Sequence, residues 1–152
     1  MRHRPRLVLA LGCLTALPLL AGAGAGGGGP GVTVEVTGLR STRGVVRACM
    51  TSHPNRFPRC RGDANAYGLV VRAGSSVTLE FDDVTPGRYA IALLHDENDN
   101  GKADRALSLM PKEGYGFSRD APVRMGPPSF DQAAFDVGAA RVRQTIRMRY
   151  ML

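Results

Sequence analysis

A run of acidic and amide residues, DENDNGKAD, occupies positions 96–104 of the chain. Oxygen-bearing residues recur at every second position over the first half of this run, and a glycine stands at its sixth position. Calcium-binding loops use this spacing, because a hard cation needs several oxygens that converge on one point and a sharp turn that brings them together. The predicted ligands are Asp96, Asn98, Asn100, Lys102 through its backbone carbonyl, and Asp104.

Two features distinguish this run from an EF-hand. Position 12 is Leu107, where an EF-hand has a bidentate glutamate, and the segment before Asp96 has the pattern of a strand rather than of a helix. The expected affinity is therefore weak, about 0.1 to 1 mM as in extracellular modules, unless Glu113 or another distant group completes the ligand shell. The alternative is that these Asp and Asn side chains close turns on their own backbone without any metal.

A second segment, PKEGYGFS, mixes aromatic and charged side chains between glycines. Such a segment can line a ligand groove, and the residues predicted for that role are Lys112, Glu113, Tyr115 and Phe117. In the alternative interpretation, the two aromatic side chains fold back and brace the calcium loop.

The chain offers little that indicates catalysis. After the leader, the histidines are His53 and His95, and the sequence contains neither a nucleophile elbow nor an HExxH motif. His95, beside Asp96, is the candidate general base, although a histidine at the end of a strand more often packs or forms hydrogen bonds. No catalytic residue is predicted.

Four arginines alternate with apolar residues near the end of the chain: Arg141, Arg143, Arg147 and Arg149. A row of guanidinium groups along one strand face could bind a polyanion. A charged solvent face, or an edge strand protected from aggregation, is the alternative.

The first 25 residues have the layout of a secretory signal peptide: three arginines, an apolar run at Leu7–Leu20, then A-x-A cleavage sites. The run is shorter than the ~20 residues of a membrane span, so we expect a periplasmic or secreted protein with no transmembrane segment. A lipoprotein signal at Cys13 is the alternative. Loss of the three arginines lowers the net charge from +7 to +4. We do not expect a nucleic-acid partner in that compartment.

Cys49 and Cys60 are the cysteines that remain after cleavage. In an oxidising compartment such a pair predicts a disulfide. A metal-binding pair is the alternative, but the C-x-x-C spacing of zinc sites is missing.

Period-two alternation predicts strands through the rest of the chain. Val32, Val34 and Val36 alternate with polar residues, and the apolar run Tyr89–Leu94 indicates a central strand. Glycine-containing turns separate such runs, and residues 98–128 fit no strand. The sequence predicts a glycine-rich tether at 26–31 and one domain at 32–152, an all-β antiparallel β-sandwich with one long loop after the central strand.

Three segments, LLHDENDNGKAD, MPKEGYGFSRD and PPSFDQAAFDV, together resemble the bacterial family known as domain of unknown function 2141. The segment VTPGRYAIAL is similar to the turn and strand of transthyretin-like and collagen-adhesin B-type sandwiches. The resemblance covers most of the mature chain and implies an exported, transthyretin-like or Greek-key sandwich, with no particular activity.

These features favour an exported, non-enzymatic binding or scaffold module that a calcium loop braces. The alternatives are a periplasmic carrier of a small molecule or polyanion, and a hydrolase of unknown substrate. Its partner would be an envelope component or another protein.

Overall fold

The structure is a computed structural model that describes residues 29–106 and 110–152. The predicted signal peptide and residues 26–28 of the predicted tether lie outside these ranges. Within them the strands are β1 (Gly31–Thr37), β2 (Val45–Thr51), β3 (Tyr67–Arg72), β4 (Val77–Asp82), β5 (Gly87–Asp96), β6 (Arg105–Ala106), β7 (Met110–Pro111), β8 (Gly114–Phe117), β9 (Phe135–Val137) and β10 (Val142–Arg147). A 3-10 turn at Ser118–Asp120 and a short helix, α1 (Phe130–Ala133), lie between β8 and β9.

The strands pair into two main sheets. The order is β10-β1-β4 in the first sheet and β3-β2-β5-β8 in the second, where β9 also pairs with the start of β5. The all-β sandwich predicted from the sequence is confirmed. One pair differs from the predicted antiparallel pattern, since β1 and β10 run parallel. Alternation determines which face of a strand is buried, but it is the same for parallel and antiparallel neighbours.

The main core lies between the two sheets, and the alternating positions supply it. Val32 and Val34 of β1 are fully buried, as are Val46 of β2 and Ile91 of β5. Each of these side chains contributes about 1.5 to 3 kcal/mol by leaving water. The face predicted for β1 is therefore the one that the core uses.

A second apolar cluster covers the opposite, outer face of β5. Ala90 and Ala92 lie there beneath Phe117, Phe130 and neighbouring alanines. Helix α1 begins with a capping box. The Ser129 side chain accepts a hydrogen bond from the Gln132 amide, and the Gln132 side chain accepts one from the Ser129 amide. Because the middle of β5 is covered on both faces, its segment Tyr89–Leu94 is apolar at every position, as predicted for a central strand.

A disulfide joins Cys49 of β2 to Cys60, as the sequence predicts. The loop that it closes carries Phe57, whose ring lies 5.9 Å from Phe117 and 6.2 Å from Phe130. The disulfide loop therefore contributes the Phe57 side chain to the packing of the outer cluster.

The segment predicted as one long loop contains strands. β6 and β7 pair antiparallel with each other, and β8 pairs with β5 as a member of the second sheet. The glycines at 114 and 116 hide β8 in the sequence, because Gly lacks the side chain that makes alternation visible. A backbone bridge between Tyr115 and Arg149 joins β8 to the segment after β10. None of the described helices is long and apolar enough to cross a membrane.

Candidate metal site and adjacent groove

Asp96 ends β5 and anchors the loop that follows it. Its buried carboxylate accepts hydrogen bonds from the backbone amides of Asn100 and Gly101, at 3.0 and 2.8 Å, and from Arg47 Nε at 2.6 Å. Burial alone would raise the pKa of Asp96, but the bonds from Arg47 and from the two amides hold it below its ordinary value. Asp96 is therefore ionised at neutral pH and fixed in orientation.

Asp104 lies where two amide side chains of the loop converge. The Nδ2 atoms of Asn98 and Asn100 donate to Asp104 Oδ2 at 2.9 and 3.0 Å. These two bonds lower the pKa of Asp104 below its ordinary value. Asn98 Oδ1 also accepts the Asn100 amide, and Asn100 Oδ1 accepts the Lys102 amide. Those last two contacts are Asx turns, the arrangement expected of a loop that closes without metal.

Glu113 approaches the loop from the segment before β8. The residue is only 5% exposed, and its Oε2 accepts the Asp104 amide at 3.1 Å. Its Oε1 is buried and has no hydrogen-bond partner in the described part of the chain. Burial raises the pKa of Glu113, and the charges of Asp96 and Asp104 add to that rise, whereas the Asp104 amide and, more weakly, the Glu97 amide oppose it. The structure thus brings together the loop and the distant carboxylate considered from the sequence.

The predicted ligands differ in how they are placed. Asp96, Asn98, Asn100 and Asp104 form one hydrogen-bonded loop, whereas the exposed Lys102 contributes its backbone amide to that loop. Among residues 29–106 and 110–152, no three His, Cys, Asp or Glu side chains are grouped so as to hold a metal ion by themselves. A cation at this loop would therefore need amide or carbonyl oxygens as well as carboxylates.

A cavity of about 550 Å³ opens beside the loop. Three of the four residues predicted for a groove line it: Glu113, Tyr115 and Phe117. The side chain of Lys112 is exposed, and its backbone bonds to Asp104 and Arg40 instead. Phe117 does not brace the loop, since it packs in the outer cluster against Phe57.

His95 is fully buried at the end of β5, with both ring nitrogens in hydrogen bonds. Nε2 lies 2.9 Å from the Arg43 carbonyl oxygen, and Nδ1 lies 2.7 Å from Tyr150 Oη. Because a carbonyl only accepts, Nε2 donates the proton of its bond, and Nδ1 is occupied by the tyrosine hydroxyl. Burial raises the pKa of Tyr150. His95 therefore ties the chain end to the sheet, and the general-base role considered for it has no support in this geometry.

The sequence did not predict an ion-pair cluster that lies next to His95. Arg40 donates to Glu97 Oε2 at 2.5 Å and lies 4.5 Å from the centre of the Tyr150 ring. The Arg40 guanidinium, with a smaller contribution from Ser41, lowers the pKa of Glu97 to about 2. Arg40 and Tyr150 are 110 residues apart. No local pattern in the sequence marks a contact over such a distance.

A second polar network lies near the disulfide loop. Asp63 accepts hydrogen bonds from Thr51 Oγ1 at 2.5 Å and from the Asn65 amide at 3.0 Å, and His53 Nδ1 lies 3.0 Å from it. The Thr51 bond is the main cause of the lowered pKa of Asp63. The Asp63 side chain is only 2% exposed, so its carboxylate serves this internal network.

The predicted row of four arginines is partly used within the fold. Arg141 pairs with Asp82, and Arg149 pairs with Asp120 at 2.8 Å. Arg143 and Arg147 are exposed and form no ion pair within the described ranges. Of the four arginines considered for polyanion binding, Arg143 and Arg147 are therefore the two that remain exposed and without an ion pair among the described residues.

The family comparison agrees with the resemblance seen in the motifs. The family model described as "Uncharacterized protein conserved in bacteria (DUF2141)" matches residues 34–145, which include the loop, Glu113 and the groove segment. No curated protein and no solved structure matches the chain. The transthyretin-like or Greek-key detail of the fold accordingly stays a prediction. The chain belongs to the DUF2141 family of bacterial proteins.

Proposed function

We propose that the chain is an exported, non-enzymatic binding or scaffold module in which loop 96–104 and Glu113 together hold a calcium ion. The observation that carries the proposal is the buried Oε1 of Glu113, which has no partner among the described residues. A buried polar atom without a partner costs about 1 to 3 kcal/mol, and more when it is charged. A calcium ion would supply the missing partner.

The loop offers further oxygens at the same place. The amide oxygen and nitrogen of an asparagine exchange positions when the amide group rotates. Rotation of Asn98 and Asn100 would present two oxygens where their nitrogens now meet Asp104 Oδ2. A carboxylate has about four lone-pair sites, so Asp96 keeps one after its three hydrogen bonds.

The charges of the site also favour a divalent cation. Asp96, Asp104 and Glu113 carry three negative charges when ionised, and the positive charge of Arg47 is shared between Asp96 and Asp99. A divalent ion would offset negative charge that Arg47 leaves uncompensated. The expected affinity of about 0.1 to 1 mM suits an exported module, because sites in that range belong to extracellular proteins.

The ion would also join two parts of the second sheet. The loop follows β5, whereas Glu113 directly precedes β8. An ion bound to both would hold β8 against β5 without any catalytic function. The occupied ring nitrogens of the buried His95 support the non-enzymatic part of the proposal.

Thermal unfolding in chelator and in 10 mM calcium tests the proposal. A dissociation constant of 0.1 to 1 mM gives a gain of about 1.4 to 2.7 kcal/mol at that concentration, or several degrees in Tm. Magnesium should give much less, since it requires a smaller octahedral shell. Glu113→Gln should remove the calcium response. Asp99→Asn, which changes the same charge at a 57% exposed position, should retain it.

The pH dependence shows whether Glu113→Gln acts through charge or through misfolding. The folded-state pKa of Glu113 lies above its ordinary value of 4.5, so its ionisation destabilises the fold as pH rises past that value. In chelator, Glu113→Gln should therefore gain stability relative to the wild type between pH 4 and pH 7. An equal Tm of the wild type in chelator and in calcium would contradict the proposal.

A further inference from the structure

The outer face of β5 is covered along only part of its length. Ala90 and Ala92 lie under the outer cluster, but Leu94, the next residue on that face, is only partly buried. Leu94 pairs across the sheet with Tyr115 of β8, and both line the cavity of about 550 Å³. The groove thus begins where the outer cluster ends and leads toward Asp104 and Glu113.

The wall of this groove is mainly apolar, and part of it faces solvent. Its apolar side chains include Leu94, Tyr115, Phe117, Val123, Met125 and Met151. Met125 and Met151 are two of the four large hydrophobic side chains that the described residues leave exposed. Both methionines line the same cavity, and methionine adapts to ligands of different shape. The volume lies in the range of small-molecule sites.

The polar end of the groove carries charges of both signs. Asp104 and Glu113 belong to the proposed calcium site, and Arg105 and Arg124 also line the groove. Neither arginine forms an ion pair within residues 29–106 and 110–152, and residues 1–28 and 107–109 contain no Asp or Glu. Once calcium is bound to Asp104 and Glu113, the two guanidinium groups are the charges of the groove that have no ion-pair partner. An anionic group is their complement.

We propose that the groove binds a small amphipathic carboxylic acid. Its apolar chain lies on Leu94, Tyr115 and Phe117, and its carboxylate faces Arg105 and Arg124. The inference rests on the proposed calcium loop, because without calcium the charges of Asp104 and Glu113 repel the acid. Binding of the acid and of calcium are then coupled, and each strengthens the other by the same factor.

Calorimetric titration of the exported protein with octanoate tests this. In 2 mM calcium we expect octanoate to bind at least ten-fold more tightly than octanol or octylamine, which share its chain. Chelator should weaken octanoate binding by at least five-fold. The double variant Arg105→Gln/Arg124→Gln should weaken it similarly, whereas Arg143→Gln/Arg147→Gln, with the same charge change on β10, should alter it less than two-fold.

The outcomes separate this inference from the calcium proposal. If calcium raises Tm but octanoate binds no better than octanol, the groove inference is wrong and the calcium loop stands. Preference for octylamine, or equal losses in the two double variants, would also overturn it. If calcium leaves Tm unchanged and chelator leaves octanoate binding unchanged, the calcium proposal and its coupling to the acid are both wrong. A remaining requirement for Arg105 and Arg124 would then support only the carboxylate site in the groove.

Discussion

The free energy of unfolding that is lost when the Cys49–Cys60 disulfide is removed can be calculated from the length of the loop that it closes. The two cysteines are 11 residues apart, and closing a loop of that length in the unfolded chain stabilises the folded state by about 3 kcal/mol in the chain-entropy model. We therefore expect the double variant Cys49→Ala/Cys60→Ala to lose about 3 kcal/mol. This is a large share of the 5 to 15 kcal/mol that typically stabilises a domain.

The contacts of the disulfide loop explain why the loss should not be larger. Phe57 packs on Phe117 and Phe130, and Asp63 accepts a hydrogen bond from Thr51 of β2. These contacts hold the loop in the folded state whether or not the disulfide is present. The effect should therefore arise in the unfolded state, and the folded variant should keep the native chemical shifts around the outer cluster.

Urea denaturation followed by circular dichroism measures the effect. With a slope of about 2 kcal/mol per molar urea, the transition midpoint should fall by about 1.5 M. Wild-type protein unfolded in reductant should match the double variant, and Phe57→Ala should cost a similar free energy with and without the disulfide. A loss below about 1 kcal/mol at an unchanged slope would refute the loop-entropy reasoning.

Two further predictions concern the surroundings of the loop. Glu97→Gln should destabilise the fold by about 1 to 2 kcal/mol at pH 7, because the pKa of about 2 implies up to about 3 kcal/mol before screening at the partly exposed Arg40. The ion pair stabilises above the ordinary pKa of 4.5 and is lost as pH falls toward 2, so denaturation midpoints of variant and wild type should converge in acid. Gly44→Ala should cost more than about 2 kcal/mol, since Gly44 has a φ of +68° and an added Cβ would lie 2.0 Å from the Asp96 carbonyl oxygen. Gly126→Ala, where a Cβ meets nothing within 4 Å, should change the same melting curve by less than about 0.5 kcal/mol, and equal effects of the two alanines would contradict the steric argument.

Much of the sandwich was predictable because burial in a strand has a local period. Val32 and Val34 lie inward since alternate side chains of a strand point to the same face, and Ile91 lies in a segment that is apolar on both faces. The disulfide was predictable for a different reason, since the cysteines expected in the mature chain numbered two. Loop 96–104 was recognisable because its polar contacts join residues that are close in sequence.

The tertiary structure decided which distant residues meet. The parallel pairing of β1 with β10, the buried Oε1 of Glu113 beside the loop, and the contact between His95 and Tyr150 all join separate segments. The groove likewise exists because the outer cluster stops short of Leu94. Such contacts depend on how two sheets and their covering loops fill space together, and this is a property of the packed whole that no window of sequence contains.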